Sequence, residues 1–424
     1  MRKLYSLLAC FTLIFTSCPP YYNNNNTGDK EPPYNKNIVW SFEIESRGNW
    51  AENFYHDGYA YIQESSNYMG SYAPKTFWRL LKVRLDDGQV MWKTLDMEFS
   101  TVDNFIVHNN YVYVPHGGYL YVYNDNDGAL AATVFVGGQG KDMYSHYMIG
   151  CNSYIFWGNI NRDSPGTTGL IRFDTRDIDF SQPDSTLQTI DPDLVWVSPD
   201  DKAIRTNFVE ENGTVYFLTA NRDYNIRPGD GCLVAIDAET LFVKWRKDLS
   251  HTDGFRQNSL VLNGDYLHVI DMAPSCYNKN TGAVVYENEF VDMTIEYKIS
   301  LEASPYLTGI TLHDNKLYYT TGMHRSTYQA GIPKELIKNI ICMEPVTGNY
   351  VWGDLVPDGG TIRTFPVVVN GKAVIATDNG LRVYDAKTGK LLGVDKTIKN
   401  RGEDANYGYN NLFIFIDLDH CCPV

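Results

Sequence analysis

Three arginines stand at one fixed distance from a turn glycine. Arg205 lies eight residues before Gly213, Arg256 eight before Gly264, and Arg363 eight before Gly371. An equal offset from an equal turn means an equal place in a repeated unit, so the three guanidiniums are expected to gather at one opening. Each is a planar fork suited to carboxylate or phosphate oxygens. On a chain of formal charge −15, such a set would hold an anionic group or a partner's carboxylate. The same offset selects Trp50 before Gly58 and Glu403 before Asn411, and Glu302 falls near the corresponding place. Internal pairing with Glu302, Glu403 or wall carbonyls is the competing use of these cations.

Other chemistry is sparse. Asp125–Asn126–Asp127–Gly128 has the look of half a calcium loop, but Tyr123 occupies the place of its first carboxylate, and a strand-connecting turn is the better reading. The nine histidines include no i, i+4 pair, and no cysteine pair has zinc spacing. There is no glycine-rich phosphate cradle and no Gly-x-Ser-x-Gly elbow. The sequence therefore points to no metal, no catalytic set and no cofactor. Of Cys151, Cys232, Cys276 and Cys342, three lie in or beside apolar runs and read as small buried hydrophobes. An oxidising compartment would allow pairing, but spacing does not set its connectivity.

The elements that carry these residues are short strands. From Ile204 to Leu249 the chain gives an apolar run, an Asn212–Gly213 turn, Val215–Leu218, Leu233–Ile236, a turn at Asp237–Thr240 and a run ending at Trp245. That is four strands with turn chemistry between them. Ile362–Gly393 repeats the pattern. Five further copies precede or lie between these two, at a period of roughly 50 residues, the signature of a propeller or another repeat array. Aromatics at 14%, including 31 tyrosines, favour strands. The best helical candidate, Pro333–Lys338, is at most two turns long. The expected class is all-β: an eight-bladed β-propeller of four-stranded antiparallel blades, with seven blades as the alternative. Val39–Ile44 would supply an outer strand, and the stretch after Glu403 two inner strands, of a blade that closes the ring and removes both open edges.

The first 17 residues carry Arg2 and Lys3, an apolar stretch from Leu4 to Phe15, and small residues before Cys18. This is the pattern of a secretory leader, too short to span a bilayer. Thr16–Ser17–Cys18 resembles a bacterial lipobox, with Phe15 where leucine is usual. The resemblance implies that Cys18 becomes a lipidated N-terminus; an ordinary cleaved leader is the alternative. Residues 18–37 are polar and rich in Asn and Pro and read as a tether, leaving residues 38–424 as the folded body. Loss of Arg2 and Lys3 with the leader takes the charge from −15 to −17, which makes nucleic acid a poor partner.

The sequence Gly-turn, Val-Tyr-Val strand, Leu-x-x-x-Asp, Thr-Gly and then Trp resembles the quinoprotein-type (PQQ-like) propeller repeat. The matching pieces are Val383–Gly389, Ala235–Thr240 and Pro345–Gly348 with Trp352. The resemblance implies that Trp92, Trp245 and Trp352 wedge between neighbouring blades, with Tyr286 and Leu392 standing in elsewhere. Enzymes of that family carry a calcium site and a vicinal disulfide beside the cofactor. Here the adjacent pair is Cys421–Cys422, at the end of the chain and outside any blade, so a quinone-dependent dehydrogenase is disfavoured. Leader, lipidated cysteine and propeller in that order are similar to the lipoprotein subunit of the outer-membrane β-barrel assembly machinery. That resemblance implies a non-catalytic scaffold, anchored in the bacterial envelope at the outer membrane, monomeric outside its complex, which meets other envelope proteins through its blade loops. A surface ligand or glycan binder is the alternative, since the tyrosine-rich stretches Tyr55–Tyr72 and Met143–Tyr147 would suit sugar stacking.

Overall fold

Each repeat opens with a strand of three to seven residues that reverses through a two-residue turn. Both central residues take positive φ at Asp57–Gly58 (48° and 79°), Asn109–Asn110 (48° and 66°), Asn212–Gly213 (51° and 73°), Asp314–Asn315 (45° and 51°) and Asn370–Gly371 (46° and 69°). That is the type I′ hairpin, whose twist matches the strands it joins, and Asn, Asp and Gly are the residues that tolerate it.

The computed structural model describes residues 54–65, 78–97, 105–116, 118–136, 147–159, 169–182, 186–197, 203–204, 207–220, 229–252, 260–270, 274–287, 307–321, 340–354, 356, 366–377 and 380–396. These residues form seven sheets in chain order. Blade 1 is β1 (Phe54–His56), β2 (Tyr59–Ser65), β3 (Trp78–Arg84) and β4 (Val90–Lys93). Blade 2 is β5 (Ile106–His108), β6 (Tyr111–His116), β7 (Tyr119–Asn124) and β8 (Leu130–Val136). Blade 3 is β9 (Met148–Cys151), β10 (Tyr154–Asn159), β11 (Gly169–Asp174) and β13 (Asp193–Val197), interrupted by β12 (Leu187–Ile190). Blade 4 is β14 (Ala203–Ile204) with β15 (Val209–Glu211), then β16 (Thr214–Ala220), β17 (Gly229–Asp237) and β18 (Val243–Thr252). Blade 5 is β19 (Leu260–Asn263), β20 (Tyr266–Ile270), β21 (Pro274–Asn278) and β22 (Val284–Glu287). Blade 6 is β23 (Leu307–His313), β24 (Lys316–Thr321), β25 (Ile340–Met343) and β26 (Tyr350–Asp354). Blade 7 is β27 (Val367–Val369), β28 (Lys372–Thr377), β29 (Gly380–Asp385) and β30 (Leu391–Asp395).

Every blade is an antiparallel meander, and β5, β9, β15, β19, β23 and β27 pack side by side in succession, which makes the first strand of each blade the innermost. Apolar clusters lie between blades. Tyr61 and Trp78 of blade 1 meet Phe105 and Val112 of blade 2, and Phe156 of blade 3 meets Phe217 of blade 4. The seven-bladed alternative is what the described residues show, in place of the eight blades expected. Val39–Ile44, the segment after Glu403 and the helical candidate Pro333–Lys338 lie outside the described residues.

β12 departs from the meander. After a 3-10 turn at Thr175–Asp177 the chain crosses back to blade 2, pairs in parallel with β8 (Leu187 opposite Thr133, Ile190 opposite Val136), and only then supplies the outer strand of blade 3. Blade 2 thus has five strands. Among the described residues no helix is long and apolar enough to cross a membrane.

Candidate functional site

Every residue singled out from the sequence for recognition or anchoring (Arg205, Arg256, Arg363, Glu302, Glu403 and Cys18) lies outside the described residues, as do Cys421 and Cys422. Their places along the chain are nonetheless set by the strands around them. Arg205 falls between β14 and β15, Arg256 between β18 and β19, Glu302 between β22 and β23, and Arg363 between β26 and β27. All four precede an innermost strand.

The meander gives the blades two unlike ends. One end carries the two-residue hairpins and the tight turns between third and fourth strands. The other carries the connections of unequal length, such as 66–77, 160–168 and 322–339, and the entries to the innermost strands. At that second end the base of blade 1 is ionic. Glu64, 3% exposed, is directly opposite Arg79, bonds its Nε and lies 3.2 Å from Lys93 Nζ; Arg79 also reaches Asp96 at 3.3 Å. Burial works against the Arg79 charge, but the hydrogen bond and charge of Glu64 outweigh it and hold the guanidinium above its ordinary value. Trp78 donates its indole N–H to Gln63 at 2.8 Å beside this pair.

At the tight-turn end, buried polar side chains fasten one blade to the next. Trp92 donates its indole N–H to the Asp125 carbonyl at 2.8 Å, Trp245 to Lys279 at 2.7 Å, and Trp352 to Ala386 at 2.7 Å. In each case the acceptor is the second residue of the next blade's turn. The indole lies under that turn's glycine, where an added Cβ at Gly128, Gly282 or Gly389 would meet it at 2.7, 2.7 or 2.5 Å. Between blades 3 and 4, Arg172 takes this role. Its Nη1 donates to the Ala238 and Glu239 carbonyls at 2.8 and 3.0 Å, while the guanidinium rests 4.1 Å over the Tyr154 ring. Lys82 reinforces the first junction, reaching Asp125 Oδ2 at 2.7 Å and its carbonyl at 3.0 Å, with Tyr61 donating to Asp125 Oδ1 at 2.6 Å. Burial first, then the bond to Asp125, pushes the Tyr61 hydroxyl far above its ordinary value.

The wedge expected from Tyr286 is present, with Gly348 of blade 6 above its ring. The wedge expected from Leu392 is not. The ladder sets Gly393 opposite Val383, as Trp352 stands opposite Cys342, so Gly393 holds the tryptophan's place in blade 7. Arg172 was missed because its role shows only once register is known. Its signal was a charged residue in an otherwise apolar third strand.

The described thiols are all free and buried. Burial raises Cys151 and Cys276 to about 12 and Cys342 to about 11, values that leave little thiolate for nucleophilic work. Among the described residues no group of three or more His, Cys, Asp or Glu could hold a metal ion.

The fold defines the class: a β-propeller of four-stranded antiparallel blades. No family model matches the sequence, and no curated protein matches it. Solved structures do. The quinohemoprotein alcohol dehydrogenase ADHIIG from Pseudomonas putida HK5 is 14% identical with a TM-score of 0.55, covering 85% of this chain and 68% of its own. The computationally designed Ika8 protein is 12% identical with a TM-score of 0.50, covering 87% and 91%. BamB from Moraxella catarrhalis is 14% identical with a TM-score of 0.48, covering 84% and 86%. At these identities the likeness is one of fold.

Proposed function

We propose that the chain is a non-catalytic propeller, lipid-anchored through Cys18 in the bacterial envelope, that serves as a scaffold for other proteins, with outer-membrane protein assembly as its setting. The supporting observation is how the polar side chains are used. Lys82, Arg172 and the wedge indoles are taken up in joining blades, and the connections of unequal length leave mainly from the opposite end, the crossover through β12 being the exception. A rigid body with one variable end is a platform for docking. On this reading Arg205, Arg256 and Arg363 would receive a partner's carboxylates.

The test is purification of the full chain from detergent-solubilised membranes. Copurifying envelope proteins that are lost in the Arg205→Ala, Arg256→Ala, Arg363→Ala triple variant would support the reading. A chain that returns alone, or a Cys18→Ala chain that stays in the membrane, would overturn it. The dehydrogenase reading, which the fold of the Pseudomonas enzyme raises, is tested separately by adding quinone and calcium and following absorbance and alcohol oxidation. The glycan reading is tested by binding to sugar arrays.

A further inference from the structure

The junction between blades 5 and 6 is built unlike the junctions described above. Val261, His268, Cys276 and Tyr286 stand directly opposite one another across β19 to β22, and so share one face of blade 5. Val261 and Tyr286, the two ends of that row, pack into the cluster of Ile310, Leu317, Tyr319 and Met343 on blade 6. The row is therefore the blade 5 side of the seam. His268 and Cys276 are both 0% exposed, and neither ring nitrogen of His268 has a hydrogen-bond partner. The Tyr286 hydroxyl, at the wedge position, is also without a partner. This seam lacks the indole-to-carbonyl bond that fastens blades 1 to 2, 4 to 5 and 6 to 7.

The groups facing the ring are Cys276 on β21, Tyr286 on β22, Tyr266 on its own strand at 6.5 Å between centroids, and Tyr319 across the seam on β24. From β23 and β25 come Ile310 and Met343. Cys276, Tyr286 and Tyr319 carry no charge near neutrality. Burial raises Cys276 to about 12 and pushes Tyr286 and Tyr319 well above the ordinary tyrosine value. A protonated ring here would be an ion facing hydrocarbon and neutral groups, which is strongly unfavourable. The relief at hand is for blade 6 to part from blade 5 and admit water, because the Tyr286 wedge makes no hydrogen bond across the seam and the exposed Asn263 Nδ2 to Asn315 Oδ1 contact is long, at 3.4 Å.

We propose that the seam between blades 5 and 6 is an acid-opened joint, with His268 as the group that opens it. Burial alone lowers the His268 ring to about 4 in the closed seam, against about 6.5 in water. The closed seam is thus favoured in full above pH 6.5 and loses that advantage as pH falls towards 4. The open population should rise by up to about tenfold per pH unit, or roughly 40-fold between pH 6.5 and 4.5.

Cys276, inside the row, reports the opening directly. The full chain is exposed to 4,4′-dithiodipyridine, which reacts with thiols at acid pH, and labelling is read by peptide mass spectrometry. Cys232, buried between blades 3 and 4, is the internal control. The expected result is a Cys276-to-Cys232 rate ratio that climbs about 40-fold from pH 6.5 to 4.5 in the natural chain and stays flat in His268→Leu. A ratio that stays flat in the natural chain overturns the proposal, and that reading does not depend on the variant folding. Retention of the acid response in a folded His268→Leu chain overturns it as well.

Discussion

Trp352 shows what one residue contributes to a blade junction. Its indole donates to Ala386, stacks at 26° on Tyr384 at 6.1 Å, and fills the space beneath Gly389. Removing it opens a cavity and leaves the Ala386 carbonyl with the Tyr318 hydroxyl at 3.2 Å in place of two donors, so Trp352→Ala should cost about 3–5 kcal/mol. Gly389 is the other half of the contact. Its φ of +71° already disfavours a side chain, and a Cβ would sit 2.5 Å from the indole. Gly389→Ala should therefore cost more than the ~1 kcal/mol expected of backbone strain alone. In the Trp352→Ala background only the strain remains, and the two losses should add to less than their sum by about 1 kcal/mol or more. Urea melts of the four chains measure this cycle. Strict additivity would mean that wedge and glycine do not act as one contact.

At the scale of the element, β12 is the informative case. It gives blade 2 a fifth strand borrowed from the chain of blade 3, held in parallel register over Leu187–Ile190. Gln188 ties its start, with its Nε2 donating to the Asp179 carbonyl and its Oε1 accepting from the Asp179 N–H, both at 2.9 Å. Thr189→Pro would remove a ladder donor and should strip β12 from β8. Hydrogen exchange should then speed up in β8 and leave β5 to β7 unchanged. Loss of protection throughout blade 2 would show instead that the fifth strand is integral to the blade. This strand was not legible in the sequence. Leu-Gln-Thr-Ile sits in the loosest repeat, and a parallel partner leaves no turn signal between the paired segments. The meander strands were legible because the hairpins write their own turns, such as Asn212–Gly213, Asp57–Gly58, Asn109–Asn110 and Asp314–Asn315. The same contrast explains the wedges. Trp92, Trp245 and Trp352 announce themselves by size, whereas Arg172 and the row through His268 acquire meaning only from the residues opposite them.

At the scale of the molecule, the two end blades pose one question. Blade 1 turns Tyr61, Leu80 and Trp92 towards blade 2, yet on its other face Ala60, Ile62, Leu81 and Val83 are at most 4% exposed. Blade 7 turns Ala373, Ile375 and Tyr384 towards blade 6, and its other face buries Val369, Val374, Ala376, Leu381 and Val383 to 5% exposure or less. Two aliphatic faces, each turned away from its described neighbour, are both shielded from water. A closing blade made from Val39–Ile44 and the segment after Glu403 would cover both at once, and its strands come from the two ends of the chain. On that reading, deleting residues 404–424 uncovers nine aliphatic side chains. At about 1.5–3 kcal/mol for each of the larger ones, the loss exceeds the ~5–15 kcal/mol that holds a folded domain together. The truncated chain should then show no cooperative melt, and should bind a hydrophobic dye at temperatures where the parent does not. A truncated chain that melted in one sharp transition at the parent's temperature would show that those faces are covered from elsewhere.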